Sequence, residues 1–372
     1  MSKLKSTILD DLTQIRKIDK SDMLSICLDE YKHYERAARL AETFSLNCNE
    51  PQTIIVAGMG GSAIGGDLLK DWLKPRIAIP IEVCREYSLP KYANRKTLVL
   101  IVSYSGETEE SLSIFLEAIR RRCIVACISS GGILSEFAEK LGTPLLRIPF
   151  GMPPRAALPY LFVPQIVLMK NLGLTTNINS EISEAVEILR QISEENSPDK
   201  PLKCNLSKSL ATNINGTIPF VYGIGACQAV AARFKTQLNE NSKVPAKWEV
   251  FPELDHNEIV GWEDAQKFAK CCSVILLRDK DEAKGIRERI EATEKLLKKF
   301  SLKTFSVGSR GEGTLAKMSS LISFGDFVSI YLALVRKIDP TPVKTIDLLK
   351  NKIKASGLKE KIIRELQGLV KQ

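Results

Sequence analysis

Rings and imidazoles are scarce in this chain: aromatics make up 6% of 372 residues, and histidine occurs only twice, as His33 and His256. With so few rings, and with lysines and arginines scattered rather than gathered into a basic arm, the formal charge of +9 does not read as a nucleic-acid footprint. A positive field equally suits a small phosphorylated metabolite. Two distant histidines and nine cysteines without CxxC spacing, Cys271 and Cys272 being adjacent, offer neither a metal ligand set nor a disulfide framework. No uninterrupted apolar run approaches the roughly 18 residues of a membrane span, and the opening MSKLKSTILDDLTQ lacks the apolar core of a secretion signal. These absences predict a soluble, cytoplasmic chain with no metal, no nucleic acid and no membrane among its partners.

What is present is enough apolar residue, 44%, to build cores, in a chain longer than one ordinary domain. Residues 4–44 read as amphipathic helices. From 53 onward, short apolar strands alternate with helices: TIIVAG, IPIEVCR, TLVLIV, CIVACIS and PLLRIP as strands, SAIGGDLLKDWL, EESLSIFLEAIRRR and ILSEFAEKLG as helices. That alternation predicts an α/β fold with a parallel sheet covered on both faces. Helices near 155–172 and 179–195 follow, and NSPDKPLK (196–203) reads as a linker. A second alternation begins at IPFVYG (218–223) and ends in a long apolar helix over 312–336 and basic helices. The expected organisation is a helical cap over 1–52, a doubly wound domain over 53–195 and a second over 204–372.

The two halves align on each other. VAGMGGSAIGGDLLKDWL (56–73) lies on VYGIGACQAVAARFKTQL (221–238), pairing Gly58 with Gly223, Gly60 with Gly225 and Ser62 with Cys227. An internal duplication follows. The second copy lacks the serine and the extra glycines, and RDKDE (278–282) stands where the first copy has SYSGET (103–108).

GMGGSAIGG (58–66) admits a dinucleotide-binding reading, with Ala63 in its third position and an acid, Glu86, just past the next strand. SYSGET, three of its six residues being serine or threonine, marks a second anion-binding turn on a neighbouring strand, where unpaired N–H groups and the helix dipole meet. A blander alternative is that the glycines permit close packing and the hydroxyls cap a helix.

GMGGSAIGGD, SYSGET, GMPPRAALPYL, ELDHNEIVGW and PVKTIDLLK resemble, in order, the motifs of bifunctional phosphoglucose/phosphomannose isomerases, built from two sugar isomerase domains. The resemblance implies an aldose-ketose isomerase that interconverts glucose 6-phosphate and mannose 6-phosphate with fructose 6-phosphate and needs no cofactor. It implies phosphate-binding roles for Gly60, Gly61, Ser62, Ser103, Ser105 and Thr108. It also implies that Glu240 is the base shuttling a proton between C2 and C1, that Arg155 faces the enediolate, and that His256 and Lys344 serve ring opening. His256 would come from the partner subunit of a homodimer. Glu107 departs from the Asn common in the family, so its carboxylate is expected to turn outward into its own helix's first turn.

On the residues alone Glu240 is as readily a solvated helix-end acid, Arg155 a surface arginine and His256 a structural loop residue. His33, in the charged run DEYKHYER, reads as solvated. A non-catalytic sugar-phosphate sensor would keep the hydroxyls and dispense with Glu240 and Arg155.

Overall fold

The computed structural model describes residues 8–353 and 357–371. In chain order the elements are α1 (Leu12–Ile18), α2 (Met23–Leu28), α3 (Glu30–Ala41), β1 (Thr53–Ala57), α4 (Gly61–Leu73), β2 (Ile81–Cys84), β3 (Thr97–Ser103), α5 (Glu109–Arg120), β4 (Ile124–Ser129), α6 (Gly132–Lys140), β5 (Leu145–Arg147), α7 (Leu158–Asn171) and α8 (Ile178–Glu195). They continue with α9 (Leu206–Ile214), β6 (Ile218–Gly223), α10 (Gln228–Glu240), β7 (Lys247–Val250), α11 (Gln266–Ala269), β8 (Cys272–Arg278), α12 (Lys284–Lys299), β9 (Lys303–Gly308), α13 (Thr314–Val335), α14 (Lys344–Ile353) and α15 (Leu358–Val370).

The chain folds as two units, each around one wholly parallel sheet. The first unit holds 33–180 and the described part of 343–372. Its five strands run in the order β2-β1-β3-β4-β5. β3 is buried along its whole length, as expected of a central parallel strand covered on both faces. One face of the sheet packs Ile55, Val99 and Ile101 against Leu112 and Phe115 of α5, and Ile362 and Leu366 of α15 complete that core. The C-terminal helix therefore belongs with the first sheet, where the sequence pattern had grouped it with the second.

The second unit joins the described part of 1–32 to 181–342, its sheet ordered β7-β6-β8-β9. α13, apolar and long enough to cross a membrane by length and composition alone, is a core helix, 89% of its apolar window being buried. The division of the chain runs through α3 and α8, so the first 52 residues do not form a separate cap.

Residues 196–203, expected as a linker, are a packed turn inside the second unit. Asn196 is 4% exposed and its side chain accepts the Ser207 N–H at 3.2 Å. The buried ammonium of Lys208 donates to Pro198 O at 2.9 Å and Lys200 O at 2.7 Å. Two prolines end a helix whether or not the chain then leaves the domain, and here the turn's carbonyls have a buried cation to bind.

Candidate active site

In the first sheet Ala57 of β1 pairs with Ile101 of β3, and Ser103 pairs with Ser129 of β4. The turns after β1, β3 and β4 thus leave the carboxyl edge side by side, the usual ligand edge of an open parallel sheet. The turn after β1 hugs β3: a Cβ on Gly58 would stand 2.7 Å from Val102 O. Gly60 then takes a φ of 51° and caps α4 with no side chain, a conformation that costs other residues and costs glycine little.

α4 has no acidic residue in its first turn, whereas α5 opens with Glu109 and Glu110. An anion at this edge therefore sits better against α4. The hydroxyls at the second turn and Ser62 of the first make three separate hydrogen bonds. Ser103 Oγ donates to Thr108 Oγ1 at 3.3 Å, Ser105 Oγ accepts the Glu107 N–H at 3.2 Å, and Ser62 Oγ accepts the Tyr104 N–H at 3.1 Å. Because Ser62, Ser105 and Thr108 each act here as acceptors, each keeps its own O–H to offer an oxyanion.

Glu107 does turn away, though not into its own helix. Its Oε1 accepts the Ile133 N–H at 3.1 Å, at the start of α6, and its Oε2 pairs with Lys359 of α15 at 2.5 Å. A carboxylate at a helix N-terminus with an adjacent ammonium is a favourable arrangement, and its charge is answered locally.

Arg155 precedes α7 and is 4% exposed, so it is not a surface arginine. The turn that carries it lies on the start of α4, since a Cβ on Gly61 would stand 3.0 Å from Pro154 O and 3.2 Å from Arg155 N. The first unit thus brings together Gly60, Gly61, Ser62, Ser103, Ser105, Thr108 and Arg155. Lys344 belongs to the same unit, exposed at the first position of α14.

Glu240 and His256 stand on the second unit. Glu240 is half-buried at the last position of α10, its carbonyl accepting Lys243 Nζ at 2.6 Å. His256 is exposed in the short 3-10 turn Glu253–His256. The polar residues around it have structural tasks. Asp255 bonds Arg289 at 3.0 Å and Thr293 at 2.8 Å, Asn257 bonds Glu253 at 2.8 Å, and Glu258 bonds Lys247 at 2.5 Å. His33 is not simply solvated either: its Nδ1 lies 3.0 Å from the buried Tyr160 hydroxyl.

The residue that the motif reading passed over is Tyr104, whose ring is buried among these turns. A lone aromatic amid hydroxyls was the available signal.

A family model described as the bacterial phospho-glucose isomerase C-terminal SIS domain matches residues 203–353. A bifunctional phosphoglucose/phosphomannose isomerase from Caldicellulosiruptor bescii is 41% identical over 86% of this chain and 95% of its own length. A D-glucosamine-6-phosphate 4-epimerase from Sulfolobus acidocaldarius is 33% identical over 62% of this chain and 71% of its own. The fold is shared with a hypothetical protein of known structure from Thermus thermophilus, at a TM-score of 0.73 and 15% identity over 93% of this chain and 94% of that one. On the extent of these likenesses, the chain belongs to the bifunctional phosphoglucose/phosphomannose isomerase family.

Proposed function

We propose that this chain interconverts glucose 6-phosphate and mannose 6-phosphate with fructose 6-phosphate through a cis-enediol(ate). The observation that carries the reading is the 41% identity to a bifunctional isomerase across 95% of that relative's length. The anion-suited edge of the first sheet supports it: a sugar phosphate's dianion is held by the backbone at Gly60 and Gly61 and by the hydroxyls of Ser62, Ser105 and Thr108, with Ser103 bracing Thr108.

In this reading Glu240 is the base that carries one proton between C2 and C1, a task for which a positioned carboxylate supplies roughly 10²–10⁴-fold. Arg155 stabilises the oxyanion that develops on the enediolate, as a fixed donor aimed at developing charge does. Lys344 and the partner subunit's His256 move the proton that opens the ring, in a homodimer that works in the cytoplasm. Accepting both C2 epimers requires the C1–C2 bond of the opened sugar to rotate so that each presents its proton to the same base.

The test is a coupled assay of the purified protein with glucose 6-phosphate, mannose 6-phosphate and glucosamine 6-phosphate, each with and without chelator. Turnover of the first two is expected. Turnover of glucosamine 6-phosphate alone would assign the chain to the epimerase branch of its relatives, and turnover of none would end the isomerase reading. Sedimentation of the active species tests the dimer, and mixing inactive Glu240→Gln with inactive His256→Ala subunits should restore activity if His256 acts across the interface.

A further inference from the structure

Tyr104 is 6% exposed, and its backbone and phenol bind three separate segments. The N–H donates to Ser62 Oγ at 3.1 Å, in the turn after β1. The carbonyl accepts the Ser130 N–H at 3.0 Å and the Ser130 hydroxyl at 2.5 Å, after β4. The phenol oxygen accepts the Met152 N–H at 2.9 Å, in the segment leading to Arg155.

Only Pro153 and Pro154 separate Met152 from Arg155, and proline rings hold φ near −65°. The Pro153 carbonyl also accepts the Ala156 N–H at 2.9 Å and the Ala157 N–H at 3.2 Å. Fixing the Met152 amide therefore fixes the root of Arg155 through two stiff links. From the other side, the close approach of the Pro154–Arg155 peptide to Gly61 leaves that turn little room to shift.

We propose that Tyr104 is a positioning residue for the isomerisation, its phenol holding the Met152–Arg155 turn so that the guanidinium is oriented before substrate arrives. The inference rests on the assignment of Arg155 to the enediolate. Burial, outweighing the Met152 hydrogen bond, keeps the phenol above its usual titration range, so at neutral pH it is a neutral acceptor for the amide. A small displacement of an aligned group costs on the order of 10²-fold in rate, which sets the scale of the effect.

Tyr104→Phe deletes the phenol oxygen and keeps the ring. It is expected to lower kcat on both hexose 6-phosphates by about 10- to 100-fold, with KM and the affinity for inorganic phosphate within about threefold of wild type. In an Arg155→Ala background the same change should cost less than about twofold more, because there is no guanidinium left to orient. Pro153→Gly, which keeps every hydrogen bond of the turn and loosens only the link, should reproduce the fall in kcat. A kcat within twofold of wild type, a rise in KM at constant kcat, or a full additive loss in the Arg155→Ala background would overturn the proposal. An inactive wild type would sink the isomerase reading instead, and amide hydrogen exchange then decides on Tyr104. Exchange over 150–157 at least tenfold faster in Tyr104→Phe upholds the anchoring, and unchanged exchange refutes it.

Discussion

The two sheets of this molecule began as copies, and they differ most where a ligand would sit. Both keep the strand order, β2-β1-β3-β4 in one and β7-β6-β8-β9 in the other. Both keep two glycines where the first strand turns into its helix. A Cβ at Gly58 would stand 2.7 Å from Val102 O of the neighbouring strand and one at Gly223 2.4 Å from Cys227 O of its own turn, while Gly60 and Gly225 take φ values of 51° and 54°. Beyond those turns the copies part. The first presents hydroxyls after its central strand. The second presents Asp279 and Asp281, bridged by Lys317, beside an Arg278–Glu282 pair. Carboxylates at this edge repel a phosphate, and the cations beside them, Arg278, Lys280 and Lys317, are already paired.

The helix packing diverges in the same manner. α4 is thin where it meets α7: a Cβ on Gly65 would stand 2.9 Å from Leu161 O. In the second copy Val230 and Ala231 replace Gly65 and Gly66, α10 supplies Phe234, and the glycine moves to the partner helix, where a Cβ on Gly325 would stand 2.9 Å from the Phe234 ring. Close packing needs one small face at the contact, and either helix can carry it. The duplication thus conserves chain geometry and releases chemistry.

The sharpest test of this contrast is Glu240→Gln, which should reduce kcat by about 10²–10⁴-fold and leave sugar-phosphate affinity nearly unchanged by calorimetry. Lost affinity would mean that the second half also seats the phosphate. Next in size, Ser105→Asp places a carboxylate against the dianion and should raise KM by about two orders of magnitude. Lys317→Ala, which removes from α13 the cation that bridges the corresponding turn of the second sheet, should leave KM alone and cost roughly 1–2 kcal/mol of stability, from carboxylates left uncompensated at a partly wet site. A KM effect from Lys317→Ala would break the asymmetry.

Gly65→Ala and Gly325→Ala should each destabilise by about 1–3 kcal/mol through overpacking, read as lower denaturant midpoints. The added methyl of Gly65→Ala meets Leu161 O at 2.9 Å. Equal losses would support a glycine that has only changed helices.

A separate effect, on pH dependence alone, concerns Glu30, buried in the second unit. Burial foremost, and then the charge of Asp326, push its carboxyl from an ordinary 4.5 up to about 8, against the opposing pull of Arg233 and a Ser323 hydrogen bond. Cys27 also lies in this field, and Arg233 pairs with Asp326. The folded state holds a proton that the unfolded chain releases near 4.5. The associated stability is therefore full below that value and is lost as pH rises through about 8. Glu30→Gln should remove that dependence, which for a shift of this size is on the order of 4 kcal/mol between pH 5 and 9, and so flatten the melting temperature over that range by several degrees. An unchanged slope would assign the pH dependence elsewhere.

Legibility along the sequence followed burial. TLVLIV and CIVACIS were readable as strands because a central parallel strand must be apolar on both faces. β7, KWEV, has two charges in four residues and escaped notice; it lies at the sheet's edge, where Lys247 pairs with Glu258 at 2.5 Å. The hydroxyl and glycine turns were legible as an anion site since their residue types are unusual together. Glu107 was rightly expected to turn aside, but its target was invisible: Ile133 and Lys359 lie 26 and 252 residues away.

By itself, the order of apolar runs and glycines determined that this chain makes two related parallel sheets and that only one keeps an anion's turn, because periodicity and backbone freedom are local properties. Tertiary structure alone decided that α15 completes the first core, that Arg155 is buried against Gly61, and that Tyr104 ties three turns together. Those contacts join residues far apart in the chain, and no short-range pattern encodes which distant partner a buried group will meet.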